Sequence, residues 1–236
     1  MSRPTTHLDA RRQFMLSLLF AVVVSVGLYA YGAFRMHSLV YNYLLWNLFL
    51  AFVPLLVAFR LVKVLRKKQW SDWEPIGLTL VWLLFLPNSF YMISDYIHLR
   101  DVSSAHILYA AVQFTAFICL GVLLGFCSLY LVHRELRRRL SGPAAGAWVA
   151  GTLLLCSMAI YIGRDLRWNS WDVLANPAGL LFDVTERLLK PEDYPAMFVT
   201  VGSFFALLGA LYVVVWAGAK LLRSAPPTEH NRTKKI

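Results

Sequence analysis

Four polar residues that could take part in chemistry lie close together near the end of an apolar stretch: Asn88, Tyr91, Asp95 and His98. On one α-helix, with 3.6 residues per turn, this spacing places all four on a single stripe. Asp95 and His98 are three residues apart, so the carboxylate could orient the imidazole for acid–base catalysis, share a metal, or relay protons. The alternative is a helix end whose polar groups lie among lipid headgroups and water. We take Asp95 and His98 as candidate catalytic residues.

Asn88 and Tyr91 are the candidate substrate-binding residues of this segment, and Asn88 has two interpretations. Pro87 removes a backbone donor and frees the carbonyl of Leu83, so a nearby amide could repair the interrupted helix. The same amide could instead face a ligand. The sequence alone is compatible with both interpretations of Asn88.

A second polar segment, dense in charge and aromatic rings, spans residues 164–172. Its arginines could pair with the neighbouring Asp165 and Asp172. Alternatively, their planar guanidinium groups could hold a phosphate headgroup or an anionic sugar, because this geometry suits bidentate binding of oxyanions. The candidates from this segment are Arg164, Arg167, Asn169 and Trp171 for substrate binding, and Asp172 for catalysis.

Other chemical motifs are weak in this sequence. The histidines and acids near these segments match no compact metal-ligand spacing, so no metal residue is assigned. Neither a Gly-x-Ser-x-Gly turn nor a phosphate-binding glycine loop is present, and the cofactor stays unknown. The three cysteines lie inside apolar runs, where a thiol usually behaves as a small hydrophobic group.

The elements that must position these residues are membrane-spanning helices. Hydrophobic residues make up 58% of the 236 residues and charged residues 15%, against about 25% charged in soluble domains. The apolar residues fall into runs of about twenty, which suits an all-α integral membrane bundle of six helices. We expect one transmembrane domain over residues 1–223 and a disordered cytoplasmic tail over 224–236. The predicted spans are about 13–34, 40–59, 75–97, 107–132, 144–162 and 198–219.

The net charge of +10 is distributed unevenly between the two ends of such a bundle. With six spans, 17 of the 23 Lys and Arg residues fall on the side of the termini, and 8 of the 13 acids fall on the other. The positive-inside rule then places both termini in the cytoplasm and the candidate site outside. The excess charge indicates contact with the bilayer and its anionic lipid headgroups, and it argues against a nucleic-acid partner.

Two further patterns concern packing. Asn176 can cap a short helix that begins at Pro177 and runs to about Leu189, with leucines and a valine on one face and charges on the other. We expect this amphipathic helix in the last outward loop, on the outer leaflet or capping the bundle. Gly121 and Gly125 have the small-residue spacing that allows close approach of helices.

The two polar segments together resemble a known family. The pattern Pro87-Asn88-x-x-Tyr91-x-x-x-Asp95-x-x-His98-Leu99, followed by Arg167-x-Asn169-Ser170-Trp171-Asp172, resembles the bacterial multi-pass membrane family known as domain of unknown function 1361. Ser89, Phe90 and Ser94 depart from the residues common in that family. The resemblance implies a topology and two signature segments, but no activity.

Three functional hypotheses follow for a protein of the bacterial cytoplasmic membrane. The first is a membrane-embedded enzyme that acts on a lipid or cell-envelope intermediate at the outer leaflet. The second is a small transporter or channel component that uses Asp95 and His98 as a proton or cation site. The third is a non-enzymatic assembly partner, which would be sensitive at Gly121 and Gly125 rather than at the polar residues. The sequence does not indicate the substrate or the oligomeric state.

Overall fold

The protein is described by a computed structural model over residues 7–168 and 172–224. The predicted binding residues Asn169 and Trp171, and the predicted tail beyond Ser224, lie outside this range. The α-helices are α1 (His7–Met36), α2 (Tyr43–Val64), α3 (Trp73–Tyr91), α4 (Ile107–Leu136), α5 (Gly142–Asp165), α6 (Asp172–Ala175), α7 (Pro177–Leu189) and α8 (Pro195–Ser224). A 3₁₀ helix, Met92–Asp101, continues directly from α3.

Six helices in the described part of the chain are long and apolar enough to cross a membrane: α1, α2, α3 with its 3₁₀ extension, α4, α5 and α8. The prediction of an all-α six-helix membrane bundle is therefore confirmed. Consecutive spans cross in opposite directions. The C-terminal ends of α3 and α5 therefore lie at the same end of the bundle as the N-terminal ends of α2 and α4. The helix termini bearing the clusters around Arg66 and Arg138 meet at the other end, which we call the basic end.

The centre of the bundle is α4, which packs against α1, α2, α3 and α5. One side of α4, including Phe114 and Phe117, joins α1 and α2 in a buried apolar cluster. The other side, including Phe126 and Leu129, joins α3, α5 and α8 in a second. Helices α1 and α8 lie at the periphery, since only 17% and 11% of their most apolar windows are buried.

Several polar side chains inside the bundle form hydrogen bonds with a neighbouring helix. The indole Nε1 of Trp82 donates to Oγ of Ser128 at 2.7 Å, and that hydroxyl donates to the carbonyl of Pro54 at 2.9 Å. Ser89 donates from Oγ to the carbonyl of Ala51 at 3.2 Å. Because hydrocarbon offers no hydrogen-bond partners, these bonds fix the register of α2, α3 and α4.

Gly121 and Gly125 allow α4 to approach the end of α3 closely. A Cβ added at Gly125 would lie 2.8 Å from Cβ of Ser89 and from the ring of Phe90. A Cβ at Gly121 would lie 3.0 Å from the carbonyl oxygen of Ser89. The small-residue spacing is thus used between two helices of the same chain.

The short helix predicted before residue 190 is present as α7. The side chain of Asn176 accepts from the backbone N–H of Gly179, and Pro177 occupies the first turn. Trp168 ties this helix to the end of α5, because its Nε1 donates to Oδ2 of Asp183 at 2.9 Å. Leu181 and Phe182 remain exposed, as expected of a helix that contacts lipid.

Candidate functional site

The segment that carries Asp95 and His98 changes helix type, and this differs from the single α-helix considered above. The α-helix ends at Tyr91, although Pro87 lies inside it, and residues 92–101 continue as a 3₁₀ helix. With three residues per turn, side chains three apart lie directly above one another. Asp95 and His98 therefore still share a face. At 1.5 Å per residue in α3 and 2.0 Å beyond it, Asp95 lies about 32 Å from Pro75, near the boundary of a ~30 Å hydrocarbon core.

Asp95 is buried at this boundary, with a relative exposure of 1%. Its Oδ1 accepts a hydrogen bond from Nη2 of Arg164 at 2.8 Å, and its Oδ2 accepts from Nδ2 of Asn47 at 3.1 Å. These donors come from α5 and α2. The carboxylate thus joins three helices, and both of its oxygens are engaged.

Arg164 is held on several sides. Its Nε and Nη2 donate to Oγ of Ser94 at 3.0 and 2.6 Å, and its guanidinium lies over the ring of Tyr91, 4.6 Å from the centroid. Ser94 donates in turn to the backbone carbonyl of Tyr91 at 2.6 Å. Such a charge-assisted network fixes the position of the guanidinium and compensates its loss of hydration.

His98 lies at the outer edge of this network, and its side chain is 35% exposed. Nη1 of Arg164 lies 3.4 Å from Nε2 of the imidazole. Because a guanidinium can only donate, this contact requires Nε2 to accept and the neutral ring to carry its proton on Nδ1. Nδ1 lies 3.8 Å from Oδ2 of Asp101, so the exposed part of the ring can donate toward this carboxylate or toward a ligand.

The remaining wall of the site is aromatic. The ring of Tyr43 lies 5.0 Å from the imidazole of His98, centroid to centroid, and the ring of Tyr41 packs edge-on against that of Tyr43. Within the described residues, the buried hydroxyl of Tyr43 has no hydrogen-bond partner. Burial, and secondarily the charge of Asp101, raises the pKa of the Tyr41 phenol, so this residue stays neutral.

We call the hydrogen-bonded group the Asp95 cluster; its members are Asn47, Tyr91, Ser94, Asp95, His98 and Arg164. Of the residues predicted from the sequence, the structure brings four together here: Tyr91, Asp95, His98 and Arg164. The positive charge of Arg164 is balanced by Asp95, so the cluster offers oriented donors and an imidazole rather than excess charge.

The other predicted residues are placed differently. Asn88 donates from Nδ2 to the carbonyl of Phe85 at 3.1 Å, a contact within its own helix and not with the carbonyl of Leu83 that Pro87 frees. Arg167 is exposed and has a left-handed backbone conformation with φ of 60°. Asp172 begins α6 and is partly buried.

Sequence reasoning missed Asn47 and Tyr43 and passed over Ser94 as a contact of Arg164. Asn47 carried a usable signal, because it is the one amide in the apolar stretch from Tyr43 to Phe59. Tyr43 and Asn47 are also four residues apart, on one face of α2. Their convergence with Asp95 depends on helix packing, which the sequence alone did not supply.

Side chains that could bind a metal are scattered in the described ranges 7–168 and 172–224. Within them, no three His, Cys, Asp or Glu side chains are grouped so that they could hold an ion. The Asp95 cluster brings together an imidazole, a tyrosine ring and an ion pair.

Comparison with known proteins gives a family and no activity. The sequence profile of the family described as "Protein of unknown function (DUF1361)" matches residues 46–208. The chain belongs to this family, since the match covers more than half of it and includes both polar segments. No curated protein and no solved structure matches the chain.

Proposed function

We propose that the protein is a membrane-embedded enzyme that binds the polar headgroup of a lipid or cell-envelope intermediate at the Asp95 cluster. The observation that carries the proposal is the half-exposed imidazole of His98, held against a buried Asp95–Arg164 pair at the membrane boundary. In this proposal His98 is the acid–base residue. Asp95 and Arg164 are positioning residues.

The energetic cost of the ion pair supports a functional role. Removing two charges from water is expensive, and apolar side chains of similar volume often stabilise a protein as well as a buried ion pair does. Ionisable groups within membrane segments therefore usually mark functional sites. In this chain, one side of the pair leads to the partly exposed imidazole of His98, where a ligand can reach it.

The substrate class follows from the surroundings of the cluster. A headgroup at this depth would remain attached to apolar chains in the bilayer, and the exposed leucines of α7 lie at the same end of the bundle. Nδ1–H of His98 would donate to a polar atom of the headgroup, and Arg167 is free of the core to approach an anionic group.

The two other hypotheses receive less support. A cation or proton site at Asp95 would have to displace Arg164 and Asn47, which occupy both carboxylate oxygens. An assembly role through Gly121 and Gly125 would compete with their contacts to Ser89 and Phe90 in the same chain. The enzyme hypothesis leaves the contacts of Asp95 with Arg164 and Asn47 in place.

The test is envelope-lipid profiling of a deletion strain complemented with wild type, His98→Gln or His106→Gln. His98→Gln keeps a polar side chain of similar size but cannot take up a proton near neutral pH. We expect a lipid intermediate to accumulate in the deletion strain and in the His98→Gln strain, with normal levels of membrane-inserted protein.

His106→Gln is the matched control, since His106 lies near the same end of the bundle, exposed and paired with Ser103. It should restore the wild-type profile. Full rescue by His98→Gln, or an unchanged lipid profile in the deletion strain, would contradict the proposal.

We also infer that the membrane is the bacterial cytoplasmic membrane and that both termini are cytoplasmic. The basic end of the bundle carries most of the Lys and Arg residues, and the positive-inside rule supports this orientation. Single cysteines introduced at Ser104 and at Arg66 of a cysteine-free variant test it. An impermeant thiol reagent applied to intact spheroplasts should label only the first position; the reverse pattern would invert the topology.

A further inference from the structure

A concave region lies at the opposite end of the bundle from the Asp95 cluster, between the end of α4, the start of α5 and α8. Its volume is about 440 Å³, within the range of roughly 300–1,000 Å³ typical of small-molecule sites. We call it the α4–α5–α8 cleft. Its walls are mostly apolar, with Val149, Leu153, Phe205 and Val213 along its length.

The entrance of the cleft is positively charged. Arg137 and Lys220 line it, and within the described residues neither forms an ion pair, whereas the adjacent Arg138 and Arg139 both pair with Glu135. Lys220 lies over the ring of Trp216 at 5.5 Å. The entrance is therefore complementary to an anion, while the interior is complementary to hydrocarbon.

Below the cations, the wall contains an oriented imidazole. Nδ1 of His133 lies 2.9 Å from the hydroxyl oxygen of Tyr212, and its ring stacks on Trp216 with centroids 3.8 Å apart. These contacts hold Trp216 and Tyr212 as a rigid aromatic side of the cleft. Polarity falls from the charged entrance through this aromatic layer to the aliphatic interior.

The length of the cleft matches one leaflet. Along α5 it extends from Gly142 to Leu153, which at 1.5 Å per residue is about 16 Å. Half of a hydrocarbon core is about 15 Å. A molecule with its charge at the entrance and its tail in the cleft would thus reach the middle of the membrane.

Two glycines keep the interior open. An added Cβ at Gly146 of α5 or at Gly209 of α8 meets no atom within 4 Å among the described residues. Both glycines line the cleft. Side chains introduced at these positions would therefore begin in open space within the cleft.

We propose that the α4–α5–α8 cleft binds one anionic phospholipid, with its phosphate between Arg137 and Lys220 and one acyl chain along the apolar interior. The positive charge at the entrance matches the phosphate. The apolar wall, as long as one leaflet, and the open space at Gly146 and Gly209 match the acyl chain. The site is separate from the Asp95 cluster and independent of the enzyme proposal.

The experiment is native mass spectrometry of the full chain in mixed micelles with phosphatidylglycerol or with phosphatidylcholine of identical acyl chains. The wild type should retain phosphatidylglycerol on the order of tenfold more than phosphatidylcholine, because two cations face the phosphate. In the Arg137→Gln/Lys220→Gln variant this preference should disappear. These exposed positions can be changed without disturbing the buried core.

The Gly146→Leu/Gly209→Leu variant should retain neither lipid, because its side chains occupy the path of the acyl chain. Its matched control is Gly151→Leu/Gly218→Leu, on the same two helices but outside the cleft and also without an atom within 4 Å of an added Cβ. The control should bind as the wild type does, with equal thermal unfolding midpoints for both variants.

Equal retention of the two lipids by the wild type would overturn the proposal, as would an undiminished preference in the charge variant. A lipid-free dimer that the filled variant cannot form would also overturn it, because the cleft would then be an interface between two copies. Loss of lipid from the filled variant but not from its control would support the proposal.

Discussion

The two ends of the bundle use charge in opposite ways. At the Asp95 cluster, Arg164 and Asp95 neutralise each other and are fixed by Asn47 and Ser94. At the α4–α5–α8 cleft, Arg137 and Lys220 lie beside an open apolar space and, within the described residues, make no ion pair. A network in which every charged group is paired fixes geometry and suits the positioning of a reacting group. Cations that no described carboxylate neutralises suit the binding of an anion from outside.

Because of this difference, substitutions at the two ends should affect different properties, stability at one end and ligand binding at the other. Changes within the Asp95 cluster should alter unfolding first, because its members depend on one another. Changes at the cleft entrance should alter ligand retention while leaving unfolding almost unchanged. Four substitutions compare the two ends of the bundle and the helix crossing between them, from the largest expected effect on stability to the smallest.

The largest effect is expected from Arg164→Gln, which leaves the buried carboxylate of Asp95 without its cation. We expect a loss of about 3 kcal/mol in the free energy of unfolding, measured by detergent titration in mixed micelles. The double variant Asp95→Asn/Arg164→Gln should be more stable than Arg164→Gln, because the uncompensated charge is gone. If the single variant is as stable as the wild type, the ion pair is not the link between the helices.

A smaller loss is expected from Gly125→Ala, which lies between the two ends at the crossing of α3 and α4. The new methyl group would lie 2.8 Å from Cβ of Ser89, so the helices must separate, at a cost of about 1–3 kcal/mol. Gly77→Ala on α3 is the control, since no described atom lies within 4 Å of its added Cβ. The control should be as stable as the wild type or slightly more so; equal losses would show that the crossing is not tightly packed.

Tyr212→Phe, at the cleft, removes the hydroxyl that is hydrogen-bonded to His133. The expected loss is about 1 kcal/mol in the free energy of unfolding, typical of one buried hydrogen bond. The same detergent titration measures it. An effect on lipid retention without any change in unfolding would instead place this hydroxyl in contact with the ligand.

Tyr43→Phe, beside the Asp95 cluster, should change the free energy of unfolding in the opposite direction. Among the described residues the Tyr43 hydroxyl is buried without a hydrogen-bond partner, so its removal should leave stability unchanged or raise it by up to about 1 kcal/mol. The two Tyr→Phe changes thus form a pair that distinguishes a satisfied hydroxyl from an unsatisfied one. A clear destabilisation by Tyr43→Phe would mean that this hydroxyl has a partner.

The spans could be predicted from the sequence because runs of about twenty apolar residues have few structures open to them in a bilayer. The short helix α7 was equally readable, since Asn176 and Pro177 specify its start through local contacts. Local rules of capping and hydropathy therefore recover the elements. The helix ends are less predictable: α4 extends to Leu136, beyond the predicted 132, and Glu135 in its last turn pairs with Arg138 and Arg139 just after it.

The candidate site was predictable only in part. Asp95 and His98 could be identified as a local pair by their spacing, but the cation bound to Asp95 is Arg164, 69 residues away. Asn47 joins the same carboxylate from a third helix. Contacts of this kind depend on how helices rotate against one another, and side chains of one sequence segment do not determine that rotation.

The 3₁₀ helix that follows α3 has a consequence for how tightly the sequence of this segment is constrained. In an α-helix, His98 would be turned about 60° from Asp95 around the axis, and ten residues would span about 15 Å rather than about 20 Å. The two side chains are aligned because of the backbone hydrogen-bonding pattern, not because of their spacing alone. Insertion or deletion of one residue between Asp95 and His98 would turn the imidazole by a third of a turn, away from Arg164. The contact between His98 and Arg164 therefore depends on the number of residues after Asp95 as well as on their identity.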